Sequence, residues 1–108
     1  MKLKFKKDSF RNARGNHSRL LNLHCRKCEN LICVYQKDGT GRLLRLYFDR
    51  IISPYTISNL KDIPITNIKN LFCNNCSEPI GVPYIYPPEK RKAFRLYQNA
   101  VIKKIIKI

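Results

Sequence analysis

The hydrophobic and polar positions of this chain repeat mainly at the spacing of β-strands. Residues 20–23 and 31–37 are rich in leucine, β-branched or aromatic side chains, and such runs favour strands. Residues 42–52 alternate between apolar side chains and a second set that includes Arg45 and Tyr47. This alternation predicts a strand that buries one face in the core and turns Arg45 and Tyr47 towards solvent.

The remaining patterns are shorter and more often interrupted. The run Asp-Gly-Thr-Gly at 38–41 predicts a hairpin turn. Prolines and asparagines interrupt residues 53–71, so short strand and turn segments fit better there than a long helix. Strands are also predicted at 84–86 and 93–101. Residues 100–108 have apolar side chains at helical spacing and stay ambiguous, and they are too few to hold a membrane-surface helix firmly.

The spacing of the cysteines is the most specific signal in the chain. Cys25 and Cys28 form one C-x-x-C pair, and Cys73 and Cys76 form another. Two intervening residues let a tight turn direct both sulfurs at one metal ion, and four thiolates complete the closed set of a structural zinc site. The pattern predicts one structural Zn²⁺, with each pair at the tip of its own hairpin. The odd number of cysteines argues against a disulfide framework.

Two further residues are candidate ligands or reactive groups. Cys33 lies in an apolar strand-like run and is interpreted as a buried core residue. His24 adjoins Cys25 and is interpreted as a neighbour of the metal site, because four cysteines already complete the ligand set. The sequence contains no Ser-His-Asp set, paired carboxylates or phosphate-cradling glycine loop. We therefore expect neither an enzyme nor a small-molecule substrate.

Length and composition limit the class of protein. A chain of 108 residues is expected to form one domain, and a hydrophobic content of 44% suits a globular core. No stretch is apolar for long enough to cross a membrane. The basic first residues lack a following apolar segment, so we expect no secretory signal and a cytoplasmic location.

The charge balance predicts a polyanionic partner. Lys and Arg number 22 against 7 acidic residues, which gives a formal net charge of +15. The base composition of an AT-rich genome is an alternative source of some lysines. Residues 1–19 are predicted to be a flexible basic arm that orders on its partner, and residues 20–108 a single zinc-binding β domain. The candidate nucleic-acid contacts are Lys2, Lys4, Lys6, Lys7, Arg11, Arg14, Arg19, Arg26, Lys27, Arg42, Arg45, Lys90, Arg91, Lys92 and Arg95.

The order of these features resembles the β-tent zinc fold of the Yippee and cereblon group. The resemblance rests on the two C-x-x-C pairs, the glycine–arginine–aromatic strand at 41–48, and Ile80 and Gly81 after the second pair. It implies a mainly β, small zinc-stabilised antiparallel sheet domain of β-tent or extended zinc-ribbon type. Members of this architecture bind small ligands, reduce methionine sulfoxide or bind RNA. This chain lacks tryptophan and the reductase cysteine context, and its basic strands resemble the RNA-binding members.

Two functions therefore compete. The first is RNA binding, within a ribonucleoprotein such as the ribosome, where lysine and arginine contact phosphates and exposed tyrosines stack on bases. The tyrosines for this role are Tyr47, Tyr84, Tyr86 and Tyr97, whose alternative place is in packing at the sheet edges. RNA is preferred to duplex DNA because no helix long and basic enough for a major groove is evident. The second function is a protein-interaction adaptor whose basic arm meets an acidic partner.

Overall fold

The computed structural model describes residues 5–107 and is built mainly of short antiparallel strands. Within that range the strands are β1 (Ser18–Cys25), β2 (Leu31–Asp38), β3 (Arg45–Tyr47), β4 (Ile51–Ser53), β5 (Leu71–Phe72), β6 (Pro79–Tyr86), β7 (Arg91–Leu96) and β8 (Val101–Ile105). The helices are α1 (Ser9–Ala13) and α2 (Tyr55–Ser58), with 3₁₀ helices at Phe48–Arg50, Asn59–Asp62 and Ile65–Asn67. None of these helices is long and apolar enough to cross a bilayer.

The strands form two four-stranded sheets that share one core. The first sheet has the order β4-β2-β1-β8, and the second has the order β3-β7-β6-β5. Alternating side chains of both sheets point inward, and Leu23, Leu46 and Phe94 are almost completely buried. The rings of Phe48 and Phe94 pack with their centroids 4.7 Å apart. Burial of one such side chain stabilises the fold by about 1.5–3 kcal/mol. The two antiparallel sheets confirm the mainly β class that the sequence predicts.

The predicted hairpin at 38–41 does not form, because the chain crosses to the other sheet after β2. The position beside β2 is taken by β4, whose Ile51 pairs with Tyr35. β3 instead pairs with β7 in the second sheet. The backbone N–H of Tyr47 donates to the Tyr35 hydroxyl at 2.9 Å and links the sheets at the crossing. The continuous strand predicted over 42–52 is therefore divided between two sheets.

Two other segments differ from their predicted form. Between the last residue of β4 and the first of β5, residues 54–70 contain helical turns rather than the predicted strand segments, and their apolar side chains, such as Leu60 and Ile63, still pack against the core. Lys92 Nζ donates to the carbonyls of Lys61 (3.0 Å) and Ile63 (2.7 Å), which are free at a 3₁₀ helix end. The ambiguous C-terminal stretch contains β8, which completes the first sheet by pairing with β1.

Residues 5–19, placed by the sequence in a flexible arm, are held against the sheets. Asp8 caps α1 and forms an ion pair with Arg50, a residue with only 2% of its surface exposed. Arg14 binds both carboxylate oxygens of Glu89, at 2.6 and 2.9 Å. β1 begins at Ser18, so the predicted domain boundary at 19/20 falls inside a strand. The sequence analysis predicts a flexible arm from the net charge of this segment. Net charge alone does not show that Asp8 and Arg14 have partners in the fold.

Candidate metal centre and basic groove

The cysteines of the two C-x-x-C pairs meet at one point. The Sγ atoms of Cys25, Cys28, Cys73 and Cys76 all lie within 4.8 Å of one another. The Cys25–Cys76 and Cys28–Cys73 sulfur distances are both 3.6 Å. Metal–sulfur bonds of about 2.3 Å in a tetrahedron place sulfurs about 3.8 Å apart, whereas a disulfide brings them to about 2 Å. The cluster therefore fits one tetrahedral metal ion and does not fit disulfide pairing.

Both pairs are built on the same backbone turn. The N–H of Cys25 donates to the Asn30 carbonyl at 2.8 Å, and the N–H of Glu29 donates to the Cys25 carbonyl at 2.9 Å. The second turn repeats both hydrogen bonds at 2.8 Å. Glu29 and Ser77 occupy the same position in the two turns and have φ angles of 63° and 65°. This left-handed residue reverses the chain after the second cysteine, so that each pair of sulfurs faces the other pair.

The sulfurs differ in how easily they ionise. Hydrogen bonds from the Asn75 side chain and the Asn30 backbone lower the pKa of Cys28 to about 6. A backbone hydrogen bond at Glu78 lowers the pKa of Cys76, but loss of solvent and the three neighbouring cysteines outweigh it and raise that pKa to about 12. Four adjacent negative sulfurs repel one another unless a cation lies between them. Metal binding at this centre therefore displaces protons and is favoured as pH rises.

The metal centre joins the two sheets. The first cysteine pair lies in the turn from β1 to β2, and the second lies between β5 and β6, so each caps a hairpin as predicted. Arg26 and Glu78 form an ion pair of 3.2 Å between the two turns. The Asn30 amide donates to the Asn74 side-chain oxygen across the same gap at 3.0 Å. A metal ion here cross-links the ends of the two sheets, in addition to these polar contacts and the packing of the core.

The other two candidate ligands lie outside the sulfur cluster. Cys33 has 1% of its surface exposed, and burial raises the pKa of its thiol to about 12, so it is an inert core residue. His24 Nδ1 lies 3.0 Å from the Glu29 carbonyl, in the turn of the first cysteine pair. The structure thus agrees with both interpretations made from the sequence.

A basic groove of about 700 Å³ is lined by residues of β3, β6 and β7 in the second sheet and of β8 in the first. Its charged and aromatic lining residues are Arg42, Arg45, Arg95, Lys103, Tyr84, Tyr86 and Tyr97. No acidic side chain from the described part of the chain lines it. Within residues 5–107, its four cations also take part in no ion pair. The positive charge of the groove is therefore not neutralised within the described fold.

Strand pairing places the groove side chains in a row. Arg45 on β3 lies directly opposite Arg95 on β7. Arg45 is braced, because its Nε donates to the Tyr84 hydroxyl at 3.0 Å and its guanidinium lies 4.1 Å from the Tyr86 ring centre. Arg95 is exposed, and Tyr97 has 48% of its surface exposed. One arginine is thus positioned by aromatic rings while the other is free to contact a ligand.

Several predicted contact residues have structural partners instead. The Arg91 guanidinium lies between the rings of Phe10 (4.0 Å) and Tyr47 (3.7 Å), and it pairs with Asp49 at 2.6 Å. With 5% of its surface exposed, Arg91 is unavailable to a nucleic acid. Arg14, Arg26 and Lys92 are engaged in the ion pairs and carbonyl contacts described above.

The remaining predicted contacts lie away from the groove. Lys6, Lys7, Arg19, Lys27 and Lys90 are exposed, and Arg11 donates to the Ser18 hydroxyl at 2.6 Å. Lys2 and Lys4 lie outside the described residues. Sequence reasoning missed Lys103, which enters the groove because β8 forms the edge of the first sheet. The sequence Val-Ile-Lys-Lys-Ile at 101–105 has no alternation of apolar and polar side chains, so it carried no signal for this placement.

Comparisons with family models, curated proteins and solved structures found no match to this chain. The sulfur geometry and the strand topology are therefore the findings that classify it. Together they define a small protein of two antiparallel sheets, in which four cysteines are arranged to hold one metal ion.

Proposed function

We propose that this protein is a zinc-stabilised module that binds single-stranded RNA along the basic groove. The observation that carries the proposal is the groove lining, in which four unneutralised cations lie beside three tyrosines and, among residues 5–107, no acidic side chain. Lysine and arginine contacts to phosphates supply salt-dependent affinity, and tyrosine rings stack on unpaired bases of any sequence. This combination favours affinity for the strand over recognition of a particular sequence.

Zinc is the metal that we propose for the sulfur cluster. Four cysteines in a tetrahedral arrangement select zinc or iron among the common metals. The centre has no open coordination position, since the four sulfurs complete the set, and it lies between two sheets that it can cross-link. Both features suit a structural ion. Elemental analysis of the purified protein tests this assignment, because one zinc per chain supports it and stoichiometric iron contradicts it.

A single strand suits the groove better than a duplex. The longest helix in the described part of the chain, α1, has five residues, too few to enter a major groove as a recognition element. The groove instead presents flat rings and flexible cations, which contact splayed bases and backbone together. The architecture, with one cysteine turn from each sheet, supports the resemblance to the β-tent group. A cytoplasmic ribonucleoprotein such as the ribosome is the setting that we propose.

The test uses the facing arginines. In fluorescence anisotropy titrations of labelled oligouridine, the variant Arg45→Ala/Arg95→Ala is expected to bind more weakly. Its salt slope should fall by about 1.4, since each single-strand phosphate contact contributes about 0.7. The control Lys69→Ala/Lys90→Ala removes the same charge from exposed positions outside the groove.

Equal effects of the two double variants would show that only net charge matters and would reject the groove. The competing adaptor function is tested in the same assay. Polyglutamate that displaces the wild-type protein's RNA at equal charge concentration would favour an acidic protein partner. Retained zinc content in both variants shows that the fold is intact.

A further inference from the structure

A second basic cavity, of about 290 Å³, lies beside the groove. Lys103 borders both spaces, so the two are neighbours on the surface. The second space, here named the lysine cavity, lies between the turn after β2 and the edge strand β8. Its lining consists of Arg19, Leu21, Lys37, residues 39–41, Lys103 and Ile105. It contains three cations and no acidic side chain from the part of the chain that the structure describes.

The cations of the lysine cavity are brought together by the sheet itself. Arg19 on β1 and Lys37 on β2 are direct cross-strand partners, an arrangement that places like charges about 5 Å apart at Cβ and is destabilising. Lys103 joins them from β8 on the other side of β1. Partial burial, Lys103 and Arg19 together lower the pKa of Lys37. Folding therefore concentrates positive charge at this point.

The carboxylate nearest in sequence does not relieve this repulsion. Asp38 follows Lys37, but its side chain is 4% exposed and its oxygens accept hydrogen bonds from Arg50 (2.8 Å), Gln36 (2.9 Å) and Ser18 (2.7 Å). Lys37 Nζ instead donates to the Gly39 carbonyl at 3.1 Å, which holds the ammonium group at the cavity wall. Within residues 5–107, the three positive charges have no acidic side chain in the space that they line.

We propose that the lysine cavity is a phosphate-binding subsite, in which Arg19, Lys37 and Lys103 bind one phosphate group. The proposal builds on the RNA-binding function, because a strand in the groove passes Lys103 and can continue into this cavity. Arginine binds two phosphate oxygens at once, and lysine acts as a point charge. The apolar walls formed by Leu21 and Ile105 lower the local dielectric and strengthen those contacts.

The first arm of the test compares oligouridines of about 4 and about 12 nucleotides, lengths within the range of single-strand binding sites. Lys37→Gln should bind the short strand like the wild type. It should bind the long strand about fivefold more weakly, with the salt slope reduced by about 0.7. The matched control is Lys104→Gln, because Lys104 follows Lys103 on β8, points to the opposite face and lines neither cavity.

The second arm uses inorganic pyrophosphate and amide NMR signals of residues 39–41. Chemical-shift changes that saturate with pyrophosphate in the wild type and are lost in Lys37→Gln support the subsite, whatever the source of the phosphate. If these chemical-shift changes occur and Lys37→Gln also weakens binding of the long oligouridine alone, the phosphate that binds here belongs to the RNA strand. If the chemical-shift changes occur and binding of the long oligouridine is unaffected, the ligand is free phosphate.

The outcomes separate this proposal from the one on which it rests. If neither oligonucleotide binds but pyrophosphate does, the RNA-binding function fails and the subsite stands. If the short strand binds and Lys37→Gln behaves like Lys104→Gln in both arms, the subsite is rejected and the groove remains.

Discussion

Replacement of Glu29 and Ser77 by glycine is expected to stabilise the metal-bound protein. Both residues hold a left-handed φ, 63° and 65°, in the turns that present the cysteines. A residue with a Cβ is strained there by about 1–2 kcal/mol, whereas glycine is not. Glycine loses about 0.5–1 kcal/mol more backbone entropy on folding. The difference leaves a net gain of about 0.5–1 kcal/mol at each position.

The side chains themselves contribute little that glycine would remove. Glu29 and Ser77 are exposed, and Glu29 takes part in no ion pair within residues 5–107. The hydrogen bonds of both turns use backbone N–H and carbonyl groups, which glycine retains. For a chain of 108 residues, a gain of 1 kcal/mol raises Tm by about 4 °C.

Urea unfolding at fixed free zinc concentration is the suitable assay, because metal in excess itself adds to apparent stability. Ser77→Ala is the matched control, since alanine removes the hydroxyl but keeps the Cβ and its strain. It should differ from the wild type by less than about 0.5 kcal/mol. If Ser77→Gly is no more stable than Ser77→Ala, the strain argument is wrong.

Three further predictions follow from named contacts. Cys73→Ser should abolish metal binding and unfold the chain, because metal-coupled folding supplies on the order of 10 kcal/mol. Cys33→Ala should lower the free energy of unfolding by about 1–2 kcal/mol and keep the metal. Elemental analysis and circular dichroism of both variants check these outcomes. The hydrogen bond from Arg50 lowers the pKa of Asp8 from 3.8 to about 2. Because this pKa is lower in the folded state than in the unfolded state, ionised Asp8 stabilises the fold above the unfolded-state pKa, and this stabilisation is lost as pH falls towards 2. The loss of stability caused by Asp8→Asn, measured by urea unfolding, should therefore shrink from pH 4 towards pH 2, and a constant loss would contradict this. Deletion of residues 1–14 should lower stability by about 3 kcal/mol in thermal unfolding, because it removes Arg14 from Glu89 and Asp8 from the buried Arg50; an unchanged Tm would show that the segment is only an arm.

The metal centre could be predicted from the sequence because its information is local. Two residues between cysteines determine that one turn can present both sulfurs, whatever the rest of the chain does. The burial of Cys33 was also readable, since its neighbours form an apolar strand. In contrast, the left-handed Glu29 and Ser77 could not be read from residue type, because neither is glycine or asparagine.

The topology was less predictable, because strand pairing depends on competition between distant segments. The Asp-Gly-Thr-Gly run at 38–41 has hairpin chemistry, yet β3 pairs with β7 and leaves β4 beside β2. A turn signal reports the local backbone preference and does not identify the strand that follows as the partner. The same limit applies to 53–71, where proline excluded a long helix but not several short turns.

The basic residues show most clearly what alternation can and cannot predict. Arg91 and Arg95 lie on the same face of β7, so the pattern assigns them the same environment. Arg95 faces the groove and is exposed, whereas Arg91 lies beneath Phe10 of α1 and pairs with Asp49.

The difference between these arginines comes from the N-terminal segment, which covers one end of the sheet and leaves the other end open. Five of the seven acidic residues pair with arginines in the described structure, and four of them, Asp8, Asp38, Asp49 and Glu89, contact Arg14, Arg50 or Arg91. The scarce acids therefore determine which arginines are structural. Three of the arginines that pair with no acid in the described structure, Arg42, Arg45 and Arg95, line the groove and are open to an anionic ligand. This is why charge distribution rather than net charge carries the functional argument.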